Sequence, residues 1–247
     1  MEETKADVQC VILAGGLATR MRPLTEKIPK ALIEADGRPF AHYQLDWLSR
    51  HGVTDVVFSI GYLGEMIRDY VRDGKAWGLR VQYVDEGKEL RGTGGALRLA
   101  FDRGALKPEF LVTYGDAFLP VDFLDFYRVF LKTAEPAQMS IYKNAGRGDT
   151  SNVYSESGRI VLYDKDRGNR LFARMQHIDY GLLAFRRDVI EKRIPCGEKN
   201  DLSYLLRELS KEGALASYEV QTRFYEIGSV SGLEDFQALI RQKIDRS

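Results

Sequence analysis

Apolar runs and helical-period stripes divide the 247-residue chain into two halves of different texture. In the first half, Val8–Leu13, Val56–Ile60 and Phe110–Tyr114 are short, continuous β-branched or aromatic runs. That is the pattern of strands buried on both faces. Phe40, Tyr43, Leu45, Trp47 and Leu48 recur with an approximately helical period that stops near Gly52, and Pro39 suits the first position of that helix. Met66, Ile67, Tyr70 and Val71 mark a short helix over Gly64–Val71, and Leu79–Val84 alternates like a strand. Thr93 is placed to cap a helix carrying Ala96, Leu97, Leu99, Ala100 and Phe101. Strand and helix thus alternate, which predicts a parallel sheet wound on both faces.

The second half is richer in hairpins. A helix near Asp122–Thr133 precedes short strands at Met139–Tyr142, Val153–Ser155 and Arg159–Tyr163, the last two joined by a turn at Glu156-Ser157-Gly158. His177–Phe185 is a further strand, and Asp188–Lys192 and Asp201–Lys211 are helices. The second of these sets Leu202, Leu205, Leu206 and Leu209 on one face and stops at Gly213. Leu215–Val220 and Phe224–Ile227 read as strands, and Leu233–Ile244 as a closing amphipathic helix. The expected fold is α/β, a three-layer sandwich with a mostly parallel central sheet and a mixed, hairpin-rich lobe. It forms one domain over residues 1–247, with lobes of about 1–120 and about 121–247, the second including the closing helix. Ligands of open α/β sheets bind beyond the carboxyl ends of the strands, so Gly15-Gly16 and Gly115-Asp116 should share one rim.

Composition narrows the partners. Lys+Arg and Asp+Glu both total 36, and this zero net charge speaks against a nucleic-acid surface. Positive charge gathers instead after the first strand, where Arg20, Arg22, Lys27 and Lys30 face the single acid Glu26. Cys10 and Cys196 are far apart and lack a partner motif, the usage of a reduced intracellular protein. Met1 to Asp7 is too polar for a signal peptide, and no apolar run approaches the ~20 residues a bilayer requires. The expected location is the cytoplasm, with no membrane partner.

The Gly15-Gly16 pair lets the backbone approach a ligand and turns amides outward, which suits phosphate oxygens. The loop has neither the G-x-G-x-x-G spacing of a dinucleotide site nor the G-K-[ST] of a Walker loop. With its cations it reads as a holder of a nucleoside triphosphate. In Asp85–Ala96 a glycine-rich turn runs into a helix start that offers free N–H donors. Asp116 follows a strand, where an Asp by itself is an ordinary turn residue. His42, His51 and His177 lack metal spacing, and no Ser-His-Asp or Cys-His nucleophile is present. Direct displacement without a covalent enzyme intermediate fits that absence.

Leu13-Ala14-Gly15-Gly16-Leu17-Ala18-Thr19-Arg20-Met21-Arg22-Pro23-Leu24-Thr25, followed by Pro29-Lys30-Ala31-Leu32, resembles the signature of the sugar-1-phosphate nucleotidylyltransferases, with Ala18 where Gly is usual. Further motifs of that family recur in order along the chain. The resemblance implies a Rossmann-like, glycosyltransferase-A-like fold and the transfer of a nucleotidyl group from an NTP to a sugar 1-phosphate. Leu13, Ala14, Gly15 and Gly16 would lie against base and ribose, while Arg20 and Lys30 contact the triphosphate. Gly92 and Thr93 belong to the base-reading segment, with Glu86, or Glu89 in another register, standing near a position where uridylyl- and thymidylyltransferases often have Gln. A carboxylate accepts both N1–H and N2–H₂ of guanine, which leans the reading toward GTP. Asp116 would bind Mg²⁺ together with Glu226, which occupies the Asp position of the late x-D-[IV]-G-[TS] motif. Asp164 and Lys165 resemble an E-K motif for the sugar hydroxyl and sugar phosphate. Asp179 and Gly181 resemble an N-x-G segment with Asp for Asn, and Asn152 adds a candidate sugar contact. Members are often oligomeric, so a homo-oligomer is a further expectation.

Three other readings stand beside this one. The first is a uridylyl-, cytidylyl- or thymidylyltransferase of the same family. The second is a metal-dependent glycosyltransferase using Asp164-Lys165-Asp166 as its D-x-D, and the third is a non-catalytic nucleotide-sensing subunit.

Overall fold

A computed structural model describes residues 7–144, 150–165 and 171–244 of the chain. In the first half, β1 (Val8–Leu13), β2 (Glu34–Ala35), β3 (Arg38–Pro39), α1 (Phe40–Arg50), β4 (Val53–Ile60), α2 (Gly64–Val71), β5 (Arg80–Asp85), α3 (Gly92–Asp102) and β6 (Glu109–Tyr114) follow in order. Then come β7 (Ala117–Phe118), α4 (Phe123–Lys132), β8 (Ala137–Lys143), β9 (Val153–Glu156), β10 (Arg159–Tyr163), β11 (His177–Arg186), α5 (Arg187–Arg193), α6 (Leu202–Lys211), β12 (Leu215–Val220), β13 (Tyr225–Glu226) and α7 (Val230–Ile244).

The buried runs read from the sequence become one nine-stranded sheet, ordered β5-β4-β1-β6-β11-β8-β12-β10-β9. Its first four strands are parallel, as strand–helix alternation requires. The remaining strands extend the same sheet. β11 joins β6 antiparallel and carries the same sheet onward, so the sheet as a whole is mixed rather than mostly parallel. Only β12 against β8 restores a parallel pair there, because β11 carries the chain back to the end where β8 began, Phe185 opposite Ala137, before α5 and α6 lead into β12. At the far end β9 turns back to pair with β11, His177 opposite Val153, and closes β11-β8-β12-β10-β9 into a ring.

Alternation along β1 sends its side chains to two cores. Val8, Cys10 and Ile12 pack with residues of α1, α2 and α4, while Val11 and Leu13 pack with those of α3, α5 and α6. Both described cysteines are free, Cys10 buried and Cys196 exposed. Asp122 and Asp201 cap α4 and α6 by accepting Asp125 N–H at 3.0 Å and Ser203 N–H at 2.8 Å. Pro39 precedes α1 rather than opening it, because the small β2–β3 hairpin claims it. That hairpin turns through Asp36 and Gly37, at φ 51° and 82°, the two positive values of a type I′ turn. Phe236 on α7 meets the rings of Phe40, Tyr43 and Phe118, so α7 reaches back to the first half of the chain while also packing with Ile227 and Tyr225 beside it. No described helix is long and apolar enough to cross a membrane.

Candidate active site

Strands β1, β4 and β6 end side by side, with Leu13 paired to Ser59 and to Tyr114. Beyond those ends lies a cavity of about 470 Å³. Leu13, Ala14, Gly15, Gly16, Lys30, Glu86, Gly92, Thr93 and Asp116 all line it, so residues separated by more than a hundred positions converge as the motifs required. Arg20 does not. It sits exposed in a single 3-10 turn, Thr19–Met21, outside the lining.

Two contacts explain the glycines of the opening loop. A Cβ on Gly15 would fall 2.4 Å from Glu86 Oε1, and a Cβ on Gly115 would fall 2.8 Å from the Ala14 Cβ. The turn after β1 is thus wedged between Glu86 on one side and the Gly115-Asp116 turn on the other. Ala18, in the place where the family favours Gly, adopts the left-handed conformation that Gly favours, φ 49° and ψ 39°. The Thr25 hydroxyl donates to its carbonyl at 2.8 Å and holds it there.

Lys30 and Asp116 meet on the cavity wall, Nζ to Oδ2 at 2.8 Å, with little exposure. Gln44 fixes the turn beneath Asp116 by donating from Nε2 to the carbonyls of Tyr114 and Ala117, at 2.9 and 2.8 Å. Glu86, not the exposed Glu89, reaches the cavity. Burial pushes its carboxyl above the usual range, partly offset by the Arg91 N–H donated to Oε2 at 2.7 Å.

Thr93 does not cap its own helix. Its Oγ1 accepts the Leu202 N–H at 2.9 Å, at the start of α6. The first amides of α3 are satisfied from the same quarter, Gly94 and Gly95 donating to the Asn200 carbonyl at 2.9 and 3.1 Å while Asn200 N–H donates to Arg91 O at 2.8 Å. The segment before α6 therefore clamps the glycine turn, and it brings Lys199 onto the cavity wall. The sequence reading missed Lys199, since no motif marks a cation that arrives from a hundred residues away.

On the sugar side, Asn152 is a structural tie. Its Oδ1 accepts the Asp179 N–H at 2.9 Å and its carbonyl accepts the Asp164 N–H at 3.0 Å. Asp164 is buried and paired with Arg207 at 3.1 Å, so its carboxylate is already engaged. Asp179 Oδ1 accepts the Gly181 N–H at 3.0 Å, and burial pushes the Asp179 carboxyl upward against the pull of that bond and of Lys165. Lys165 Nζ stands 6.0 Å from the centre of the Tyr163 ring. Asp166 lies outside the described residues, and with it the proposed D-x-D.

Glu226 follows a different course. Strand β13 pairs it opposite Ala117, and Ile227 N–H donates to Asp116 O at 2.9 Å, so its backbone runs beside Asp116. Its side chain lines a second cavity of about 490 Å³ with Tyr142, Asn144, Ile178, Arg223 and Asp235. Among the described residues no three His, Cys, Asp or Glu side chains converge as a metal cage. Mg²⁺ does not ask for one, since it keeps waters and takes one or two carboxylates beside phosphate oxygens. Asp116 on the cavity wall meets that requirement.

At the strand ends of the parallel half, the glycine turn, the Lys30–Asp116 pair and Glu86 thus meet around one cavity. The chain belongs to the nucleotidyl transferase family, whose model matches residues 9–151. It is 27% identical over 252 residues to a UTP–glucose-1-phosphate uridylyltransferase of Synechocystis, covering 97% of this chain and 64% of the relative. It is 34% identical over 117 residues to a D-glycero-α-D-manno-heptose 1-phosphate guanylyltransferase of Campylobacter jejuni, covering 47% of this chain and 50% of the relative. The chain thus spans between half and two thirds of these relatives. The crystal structure of HddC from Yersinia pseudotuberculosis shares its fold, with a TM-score of 0.76 at 23% identity over 94% of this chain and 99% of that one.

Proposed function

We propose that this chain transfers a nucleotidyl group from a nucleoside triphosphate to a sugar 1-phosphate, with release of pyrophosphate. The observation that carries the reading is the Lys30–Asp116 pair on the wall of the cavity that the Gly15-Gly16 turn, Glu86 and Thr93 also line. An oxygen of the sugar phosphate attacks the α-phosphorus while the bond to the β-phosphate oxygen breaks, and the electron pair leaves with pyrophosphate. Lys30 neutralises charge on the departing group, and Lys165 orients the attacking phosphate. Lys199 adds a cation to the same wall, and Arg20 would have to fold inward to join it. Asp116 would hold Mg²⁺, which would supply charge neutralisation to the phosphates, and Glu226, whose side chain lines the second cavity, would have to turn toward Asp116 to share the ion. Catalysis of this kind is positioning and preorganised charge.

GTP is the favoured donor in this reading. Glu86 presents a carboxylate to the base cleft, and guanine offers it two donors, N1–H and N2–H₂. Uracil and thymine offer N3–H flanked by carbonyl oxygens that repel it. The matched relatives include users of both UTP and GTP, so the base rests on Glu86 alone.

The test is pyrophosphate release with each of four NTPs, a panel of sugar 1-phosphates and Mg²⁺. Lys30→Ala and Asp116→Ala are expected to lower kcat by about a hundredfold or more with the fold retained. Near-normal turnover by either would end the assignment, and preference for UTP or dTTP would end the Glu86 argument. Sugar transfer without pyrophosphate would identify a glycosyltransferase instead.

A further inference from the structure

On the transferase reading, the donor's triphosphate lies in the cavity beyond β1 and β6, and few charges meet it there. Among the described residues the wall carries two cations, Lys30 and Lys199, and two acids, Glu86 and Asp116. Lys30 is already matched by Asp116 at 2.8 Å. Lys199 is exposed and has neither a hydrogen bond nor an ion pair among the described residues. An unmatched cation on the wall of a concave site draws an anion, because the low-dielectric walls focus its field.

The two lysines come from opposite faces of the sheet. Lys30 opens the 3-10 turn Lys30–Leu32, whose Ala31 and Leu32 pack in the core shared with α1. Lys199 precedes α6, whose Leu202 and Leu205 pack with α3 in the core of the other face. A phosphate chain in the cavity is therefore flanked by a cation from each layer. The backbone beside Lys199 is also tied down. Gly94 and Gly95 N–H donate to Asn200 O at 2.9 and 3.1 Å, Asn200 N–H donates to Arg91 O at 2.8 Å, and Leu202 N–H donates to Thr93 Oγ1 at 2.9 Å. These bonds join the stretch that carries the cation to the glycine turn at the start of α3. A side chain on a tethered backbone has less freedom to lose when it binds than one on a loose loop.

We propose that Lys199 is a further substrate-binding residue of the reaction, holding the donor's phosphates from the α6 face while Lys30 and Asp116 hold them from the α1 face. The clamp, rather than a motif, places its ammonium. The element that backs the base-side turn thus also supplies a phosphate charge.

The experiment is calorimetric titration of the full chain, with Mg²⁺, by guanosine, uridine, cytidine and thymidine, each also as its mono-, di- and non-hydrolysable triphosphate. The natural protein is compared with Lys199→Ala, Lys199→Arg and Lys88→Ala. Lys88 is exposed and lies outside the lining, so it controls for the loss of one positive charge. Lys199→Ala is expected to weaken the triphosphate by about tenfold or more, the worth of one charge-assisted hydrogen bond, and to leave the nucleoside unchanged. Lys199→Arg should restore most of that affinity, and kcat/KM for pyrophosphate release should fall in Lys199→Ala by at least the same factor. The melting point without nucleotide should not move, since Lys199 bonds to nothing described. Equal losses for nucleoside and triphosphate, no loss, or the same loss in Lys88→Ala overturns the proposal and leaves the transferase standing on Lys30 and Asp116. Failure of the folded natural protein to bind any of the four triphosphate analogues overturns both.

Discussion

Replacing Gly92 by Ala tests whether the base-side turn is held by the segment before α6. Two costs add at this position. Gly92 sits at φ 72°, where an L side chain is strained by roughly 1–2 kcal/mol. Its Cβ would also fall 2.6 Å from the Asn200 carbonyl oxygen, a backbone atom that moves only if the clamp opens. The clamp comprises Gly94 and Gly95 N–H to Asn200 O and Asn200 N–H to Arg91 O, each worth about 1 kcal/mol. Partial loss brings the total to about 2–4 kcal/mol, and at ~2–4 °C per kcal/mol for a chain of this size the melting point should fall by roughly 5–15 °C. Gly104, at the other end of α3, is the internal control. It has φ 67° with nothing within 4 Å of an added Cβ, so Gly104→Ala carries the strain alone, roughly 2–8 °C. Thermal unfolding of both variants by calorimetry isolates the clamp as their difference. Equal shifts would refute the argument, since they would mean that the Asn200 contact contributes nothing.

Two further outcomes follow from features of the same molecule. Ala18→Gly relieves a left-handed Ala at φ 49°, so urea unfolding should report a gain of about 0.5–1 kcal/mol, less the entropy Gly loses on folding. Burial alone would raise the Asp55 carboxyl, but hydrogen bonds from Arg80 and Lys107 overcome it and hold the group well below the usual carboxylate range. A depressed acid contributes stability that is full above about pH 4 and lost as pH falls through its folded value. Asp55→Asn should therefore cost about 1–2 kcal/mol at pH 7, allowing for the exposure of Arg80, with the gap from the natural protein narrowing in unfolding curves below pH 4.

Local physics made part of this architecture legible in the chain. β1, α2, β10 and β12 begin and end where apolar runs meet Gly or charge, because a buried strand or a one-sided helix writes its own period. The Gly15-Gly16 turn, Lys30 and Asp116 could be read as one site because strand ends in an α/β sheet share a rim. What stayed hidden depends on pairing across distance. Nothing near Ala117 announces that β7 will meet β13, and nothing near Phe236 says that α7 will reach back to the first half of the chain. Thr93 looked like a cap for α3 because Thr before an apolar stripe normally is one. Its hydroxyl instead serves α6, more than a hundred residues on. Arg20 belongs to a strong motif yet lies outside the cavity, and Lys199 belongs to no motif yet lines it. The acid at position 164 matched a motif by type and order, while its burial against Arg207 needed the fold to appear.

The return of β9 to β11 bears on how copies of this chain can meet. A ring has no rim for another strand, so among the described residues the great sheet keeps one open margin, β5. Strand addition there would have to pass Arg80, which is tied to Asp7 at 2.6 Å and to Asp55 at 2.7 Å, on a strand whose outward positions are largely polar. Breaking those pairs to gain a tenth strand is a poor exchange, and charged edge residues are a recognised guard against such templating. Association of this protein with itself is therefore expected to run through helical faces, with the sheet left whole inside each copy.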